Sequence, residues 1–271
     1  MRYVKGHGTQ NDFVLLPDLA DEAGLTPGLV RALCDRRAGL GADGVLRVAV
    51  SAADGVRWFM DHRNADGSLA EMCGNGLRLF ALFLVRSGQA EYGEQRIDTR
   101  SGVRGAVVGT DGTVGVEMGP ALLGGGSVAR LGSQAYAGTA VSVGNPHLVC
   151  MTPTPVTDLD LTKAPIADGT VFPGGVNVEF ANLLDDPVDG ADAHVRMRVH
   201  ERGVGETAAC GTGACAVTAT VLAGSEGTVA VDQPGGRVLV RIDRFGAFLS
   251  GPAVIVGSGV LDPGWLSAIA G

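Results

Sequence analysis

Lysine is nearly absent from this chain of 271 residues: Lys5 and Lys163 are the only two, and neither stands in a recognisable cofactor motif. Chemistry that runs through a lysine Schiff base therefore has almost nothing to work with. Charged residues are few, at 18%, and the net charge of −8 comes with scattered basic residues, which argues against nucleic acid or an anionic membrane surface as a partner. No apolar run approaches the length of a bilayer span, and the opening Met1-Arg-Tyr-Val-Lys-Gly-His7 lacks the apolar segment of a secretion signal. The five cysteines, at 34, 73, 150, 210 and 215, are an odd number without a Cys-x-x-Cys pair, which fits a reducing cytoplasm better than a disulfide framework. Five histidines and five cysteines show no metal-ligand spacing. The glycine-rich turns include neither a Gly-x-Gly-x-x-Gly following a strand nor a lysine-bearing phosphate loop. The expectation is a soluble cytoplasmic chain, 45% apolar and long enough for two cores, that acts on a small molecule.

What is present is a cysteine at the mouth of a helix. In His200-Glu-Arg-Gly-Val-Gly-Glu-Thr-Ala-Ala-Cys-Gly-Thr-Gly-Ala-Cys215 a Gly-flanked turn leads into Cys210-Gly-Thr-Gly213 and then the small apolar stretch Ala214–Ala223, which reads as a helix. A thiol in that first turn feels the positive end of the helix dipole, so the expectation is a lowered pKa. The backbone N–H groups of Gly211 and Thr212 offer a seat for a carboxylate or phosphate. The plainer reading is a small buried core cysteine.

A second copy favours the chemical reading. Asp61-His-Arg-Asn64 and Glu71-Met-Cys73-Gly-Asn-Gly76 again end in Cys-Gly-x-Gly before a helical run, Leu77–Val85, with Gly74 and Asn75 as the matching N–H donors. The two cysteines stand 137 residues apart, about half the chain, and Asn64 and Glu201 each precede their cysteine by nine. Weaker echoes pair Asn11-Asp-Phe-Val with Asn145-Pro-His-Leu, and Gly41-Ala-Asp-Gly-Val-Leu with Gly174-Gly-Val-Asn-Val-Glu. The chain reads as a duplication with one thiol in each half and one site served by both.

These residues carry a family resemblance. From Gly6-His-Gly-Thr-Gln-Asn-Asp12 through Met72-Cys-Gly-Asn-Gly76, Gly144-Asn-Pro-His147 and Asn177 to Glu201-Arg202 and Cys210-Gly-Thr-Gly213, the chain closely resembles the diaminopimelate epimerases. Proline racemases are similar but resemble a Cys-Gly-His-Gly pattern at the first thiol, where this chain has Cys73-Gly-Asn-Gly76. The resemblance implies two α/β halves related by a pseudo-two-fold, each a curled, mostly antiparallel or mixed sheet around a central helix, assembled as a homodimer. It implies epimerisation of LL-diaminopimelate to the meso form, a step of lysine and peptidoglycan precursor synthesis, without a cofactor. Cys73 and Cys210 would be the acid and base on opposite faces of the α-carbon, with His147 and Glu201 tuning them. Asn11, Asn64, Asn145, Asn177, Glu201 and Arg202 would surround the substrate, Arg202 suiting its distal carboxylate. Many relatives carry Gln after the Asp of the Gly-x-Gly-x-Asp turn; Asp43-Gly44 here leaves that contact open. Alternatives are a proline or hydroxyproline racemase or epimerase, and a dithiol redox protein.

In order, the pattern predicts a strand run over Arg2–Leu16 broken by Gly6-His-Gly8 and closed by Pro17-Asp18, and a helix over Thr26–Arg36 capped by Thr26. Strands follow at Val45–Val50, Val56–Asp61 and across Ile97–Glu117. Gly119–Gly126 is the candidate boundary, giving halves of 1–118 with 252–271, and 119–251. The second half is expected to hold strands around Ala140–Cys150, a short helix near Asp158–Ala164, and strands at Val176–Leu183, Ala193–Glu201 and Val229–Val256. A terminal helix is expected at Pro263–Ile269.

Overall fold

The computed structural model describes residues 1–17 and 24–270, so Asp18 lies outside the described residues. The chain divides into two compact units, Met1–Val116 with residues 252 onward, and Glu117–Gly251.

In the first unit β1 (Arg2–Gly8), β2 (Asn11–Leu16), helix α1 (Pro27–Cys34), β3 (Gly44–Val50), β4 (Trp58–Asn64), helix α2 (Gly74–Arg86), β5 (Gly93–Asp98), β6 (Arg104–Val108) and β7 (Thr113–Gly119) follow in order. The second unit holds β8 (Leu122–Leu131), β9 (Gln134–Ser142), β10 (Pro146–Met151), β11 (Ile166–Ala167), β12 (Asn177–Leu184), β13 (Ala193–Glu201), β14 (Gly205–Thr207), helix α3 (Gly211–Leu222), β15 (Gly227–Gln233), β16 (Gly236–Asp243) and β17 (Gly246–Pro252). The chain then returns to the first unit as β18 (Val254–Val260) and helix α4 (Pro263–Ala270).

Strand pairing repeats from one unit to the next. In the first, β18–β1 and β1–β2 are antiparallel, β2–β3 parallel, β3–β4 antiparallel, β4–β5 parallel, and β5–β6 and β6–β7 antiparallel. In the second, β8–β9 and β9–β10 are antiparallel, β10–β12 parallel, β12–β13 antiparallel, β13–β15 parallel, and β15–β16 and β16–β17 antiparallel. The registers agree with the sequence echo. Phe13 pairs with Gly44, and Gly44 with Asn64; His147 pairs with Asn177, and one step beyond the Val178–His200 pair lies Glu201. β11 and β14 are additions to the second unit.

Each sheet encloses one helix. Residues 74–84 of α2 are all buried, and the helix packs against β1, β2, β3, β4, β6 and β18. α3 buries residues 213–219 against β8, β9, β10, β12, β13, β15 and β16. A helix with so few polar side chains has no solvent face to offer and must be wrapped in this way; the polar Asn75 and Arg78 of α2 are buried with hydrogen-bond partners. A second core in the first unit lies between α1, β2 and β3, with Val14, Leu16, Leu29, Leu33 and Val45, and Trp265 and Leu266 of α4 pack against it.

Several local expectations shift. β1 is one strand rather than two. A Cβ at Gly6 would stand 2.5 Å from Leu79 Cδ1, so its glycine lets β1 lie against α2 instead of breaking the strand. α1 is capped by Thr26, whose Oγ1 accepts from Leu29 N–H at 3.2 Å, but it stops at Cys34 because the Asp35 carboxylate accepts from the N–H groups of Arg37 and Ala38. The helix expected at Asp158–Ala164 is only a single 3₁₀ turn, Val156–Asp158. Arg198 takes the Leu159 carbonyl, an acceptor of the expected first turn, and that of Val156, while Asn182 pins the preceding loop by the carbonyls of Thr152 and Thr154. The glycines at 124–126 lie within β8, not in a loop.

Candidate active site

In the first unit, Cys73 is the residue immediately before α2, extended at φ −139° and ψ 118°, and its carbonyl accepts from Leu77 N–H at 2.8 Å. Gly74 and Asn75 form the first helical positions, whose N–H groups have no acceptor within the helix. Asn11, at the start of β2, meets the thiol directly: its Oδ1 accepts from Cys73 Sγ at 3.6 Å and from Asn75 Nδ2 at 3.3 Å. Its Nδ2 donates to Asp43 Oδ2 at 2.8 Å, which fixes the orientation of the amide. Asp43 thus anchors Asn11, and Arg36 holds Asp43 and Asp12 together. Burial opposes ionisation of Asp12, but Arg36 and Lys5 outweigh it and hold the carboxyl at about 2. Lys5 is committed to Asp12 and the Gly41 carbonyl, and Lys163 is exposed and paired with Asp160.

The turn that delivers Asn11 is strained. Thr9 and Gln10 have φ of +48° and +64°, and a β-branched residue in the left-handed region costs of order 1–3 kcal/mol. Thr9 is held there by its hydroxyl, which donates to Asn75 Oδ1 at 3.3 Å and accepts from Arg78 Nη2 at 3.1 Å, all three side chains being buried. Asn64 stands at the exposed end of β4, its Nδ2 on Ser68 Oγ at 3.0 Å.

In the second unit, Cys210 is the matching residue before α3 (φ −127°, ψ 113°), with Gly211 and Thr212 as the first helical positions. Its Sγ accepts from Gly213 N–H at 3.3 Å and lies 3.4 Å from Thr212 Oγ1, while its own N–H donates to Gln233 Oε1 at 2.7 Å. Asn145 Nδ2 donates to Thr212 Oγ1 at 3.4 Å, and Asn145 Oδ1 lies 2.9 Å from His147 Nε2. His147 Nδ1 is 2.7 Å from Glu179 Oε1, both side chains fully buried. Glu201 accepts from Thr207 Oγ1 at 2.5 Å, and its carboxylate acts electrostatically on the Cys210 thiol. At the adjoining turn, Asn177 Oδ1 accepts from the Arg202 backbone N–H at 2.9 Å, and Arg202 Nη1 donates to the Gly174 carbonyl at 2.9 Å.

The electrostatics correct one expectation. The thiol of Cys210 is not lowered: burial, then the charges of Glu201 and Glu179, push it well above its ordinary 9.0 against the opposing bonds from Thr212 and Gly213. A helix terminus contributes roughly 0.3–1 kcal/mol, too little to offset a desolvated thiolate beside two carboxylates. Glu201 itself is raised by burial first, with Glu179 adding to it against Thr207, His147 and Cys210. Cys34 and Cys150 are pushed by burial up to about 11 and about 12, and Cys215 is fully buried. What distinguishes Cys210 from these core thiols is the polar company around it.

The structure therefore brings Asn11, Cys73 and Asn75 together in one unit, and Asn145, His147, Glu201, Cys210 and Thr212 in the other, with Asn177 and Arg202 paired beside the latter. Thr9, Arg78, Glu179, Thr207 and Gln233 were not singled out from the sequence. Of these only Glu179 carries a signal, a carboxylate inside the apolar run Val176-Asn-Val-Glu-Phe180. Among the described residues no cluster of three metal-ligating side chains occurs, and no helix is long and apolar enough to cross a membrane.

The family model described as "Diaminopimelate epimerase" matches residues 3–123 and 139–256. Proteins named diaminopimelate epimerase align with the chain almost end to end. That of Mycolicibacterium smegmatis is 47% identical, with 100% of each chain covered, that of Mycobacterium tuberculosis 48% (99% and 100%), and that of Thermobifida fusca 46% (96% and 97%). Among solved structures, a hydroxyproline epimerase from Agrobacterium vitis with bound trans-4-hydroxy-L-proline superposes with a TM-score of 0.67 at 16% identity, covering 100% of this chain and 98% of that one. A phenazine biosynthesis protein of the PhzF family from Bacillus anthracis gives 0.65 at 16%, covering 97% and 99%. These two likenesses are of fold.

Proposed function

The chain belongs to the diaminopimelate epimerase family, and on that premise we propose that it interconverts LL- and meso-2,6-diaminopimelate by a two-base thiol mechanism without a cofactor, as a homodimer in the cytoplasm. The observation that carries the reading is the repetition of one device: in each of two similarly connected units a cysteine stands directly before a buried helix in polar company, Asn11 for Cys73, and Thr212 with the charge of Glu201 for Cys210.

Inverting a stereocentre requires a proton to leave one face of the α-carbon and another to arrive on the opposite face, so one base on one side is insufficient. In the proposed mechanism one cysteine, as thiolate, removes the α-proton while the other, as thiol, delivers its own, and the two protonation states exchange with each turnover. The raised thiol of Cys210 suits it to hold its proton in the free protein. The negative charge that builds on the α-carboxylate is met by N–H groups at Gly74, Asn75, Gly211 and Thr212, each well-placed donor contributing about 3–4 kcal/mol by analogy with oxyanion holes. Glu201 and Glu179 surround Cys210 with negative charge, a suitable setting for a substrate ammonium. Asn11 and Asn145 orient the polar shell of their thiols, His147 supports Asn145, and Arg202 takes the distal carboxylate, with Asn64 and Asn177 completing recognition.

The test is turnover by purified, reduced protein of LL-diaminopimelate, proline and hydroxyproline in parallel, followed by NMR or chiral chromatography. Conversion of LL-diaminopimelate alone is the expected result. Inversion of proline or hydroxyproline with diaminopimelate untouched would replace this reading with the cyclic amino-acid one.

A further inference from the structure

A fully buried carboxylate sits on the central strand of the second unit with half of its hydrogen-bonding capacity unused. Glu179 lies in β12 between Val178 and Phe180, where an unpaired charge costs several kcal/mol. Its Oε1 meets His147 Nδ1 at 2.7 Å, whereas its Oε2 has no hydrogen-bond partner. α3 is shaped around it. A Cβ at Gly213 would stand 2.8 Å from Glu179 Oε1 and 3.3 Å from Cys210 Sγ, so the glycine of Cys-Gly-Thr-Gly admits the carboxylate and the thiol side by side.

We propose that Glu179 is the positioning residue of the second thiol, fixing the orientation of His147 and, through the Asn145 amide, the hydroxyl of Thr212 beside Cys210. The inference rests on the two-thiol reading for its catalytic meaning, but the geometry stands without it. The chain of contacts is continuous: Glu179 to His147 at 2.7 Å, His147 to Asn145 at 2.9 Å, Asn145 to Thr212 at 3.4 Å, and Thr212 to Cys210 at 3.4 Å. A carboxylate accepts and never donates when ionised, so Nδ1 donates to Glu179, and since the Asn145 amide oxygen also only accepts, Nε2 donates to Asn145. The titratable and charged groups facing Glu179 are His147 and Cys150 on β10, Glu201 on β13 and Cys210 at the start of α3. Its charge therefore disfavours the Cys210 thiolate in the free protein, and a cation bound there relieves that effect. Glu179 touches no reacting atom in this assignment; it acts through its neighbours.

Three measurements test this, and the first two do not depend on turnover of diaminopimelate. In wild-type protein, long-range ¹H–¹⁵N spectra of labelled histidine should show His147 protonated at Nδ1, and a ring bare at Nδ1 overturns the assignment without any variant. In a Cys73→Ser background, Glu179→Gln retains shape and an acceptor oxygen but removes the charge. Alkylation of Cys210 by iodoacetamide should then shift to lower pH, with a rate about tenfold higher near pH 8. In the Cys73-containing protein the same change should lower kcat about tenfold and alter its pH profile, with KM nearly unchanged. A folded Glu179→Gln protein with the parent's alkylation profile sinks the proposal, whereas loss of turnover on every substrate with the alkylation shift intact would count only against the epimerase reading.

Discussion

His62 is an ionisable residue that the sequence offers no reason to notice, yet it carries a measurable share of the pH dependence of folding. It is buried on β4 with Nδ1 lacking a partner and its ring edge-on to Phe13, centroids 5.6 Å apart. Burial, then the Arg100 charge, against the opposing pull of Asp61, lowers its pKa from 6.5 to about 4. The unfolded chain therefore binds a proton below about 6.5 that the native state refuses until about 4. Stability is complete above that window and is lost as pH falls through it, by at most about 3 kcal/mol. Beside it, the Asp61 carboxyl sits at about 2, since Arg63 and Arg100 overcome the burial that opposes its charge, and the stability it contributes is lost only below about pH 4. His62→Phe should therefore flatten the urea-unfolding free energy between pH 6.5 and 4.5 relative to wild type. Parallel curves over that range would mean that His62 is protonated in the native protein.

At the scale of elements, the β1–β2 turn shows strain retained where a candidate catalytic side chain is delivered. Thr9 gives up the comfort of negative φ, and the bonds from its hydroxyl to Asn75 and Arg78 compensate. Two substitutions separate the contributions. Thr9→Val keeps the branched Cβ and its strain but leaves buried donors and acceptors of Asn75 and Arg78 short of a partner, a loss of roughly 1–3 kcal/mol. Thr9→Gly loses the same bonds but relieves the strain, less about 0.4–1 kcal/mol for a freer unfolded chain. The valine variant should therefore be the less stable of the two by about 1 kcal/mol in urea titration; the reverse order would show that the turn is not strained. Much of the rest was open to reading. Thr26 and Pro27 announced α1, and Cys73 and Cys210 announced the starts of α2 and α3, because caps and helix entries are local. Glycines misled at β1 and β8, since a glycine demanded by close packing looks the same in sequence as one demanded by a turn. The helix at 158–164 failed where Arg198 takes the Leu159 carbonyl from 39 residues away and, with Asn182, pins the segment just before it through Val156 and Thr154, contacts that no local pattern reveals.

At the scale of the whole molecule, the duplication legible in two Cys-Gly-x-Gly motifs reappears as the same succession of parallel and antiparallel pairings in both units, down to the register that gives Asn64 and Glu201 equivalent places at their strand ends. The environments of the two thiols have nonetheless diverged: Cys73 meets an amide, Cys210 a glutamate and a threonine. Glu201 and Thr212 stand in the motif and were legible in the sequence, whereas Glu179 arrives from β12, outside it, and was not. A division of labour follows, and it is open to direct test in deuterated water. Wild-type protein converting LL-diaminopimelate should place solvent deuterium in the product from the first turnovers while the remaining substrate stays largely unlabelled, since each face has its own acid or base. With Cys210→Ala, the surviving Cys73 still removes a proton and returns a deuteron to the same face, so one epimer should exchange slowly without inverting. Cys73→Ala should show the converse preference for the other epimer, with exchange that quickens as pH rises, because burial and the neighbouring carboxylates hold the proton on Cys210. Epimerisation itself should fall by about three orders of magnitude or more in both variants, the group that serves the far face being gone. Near-normal epimerisation in either variant, or exchange of the same epimer by both, would show that a single cysteine does the chemistry and that the other is retained for packing.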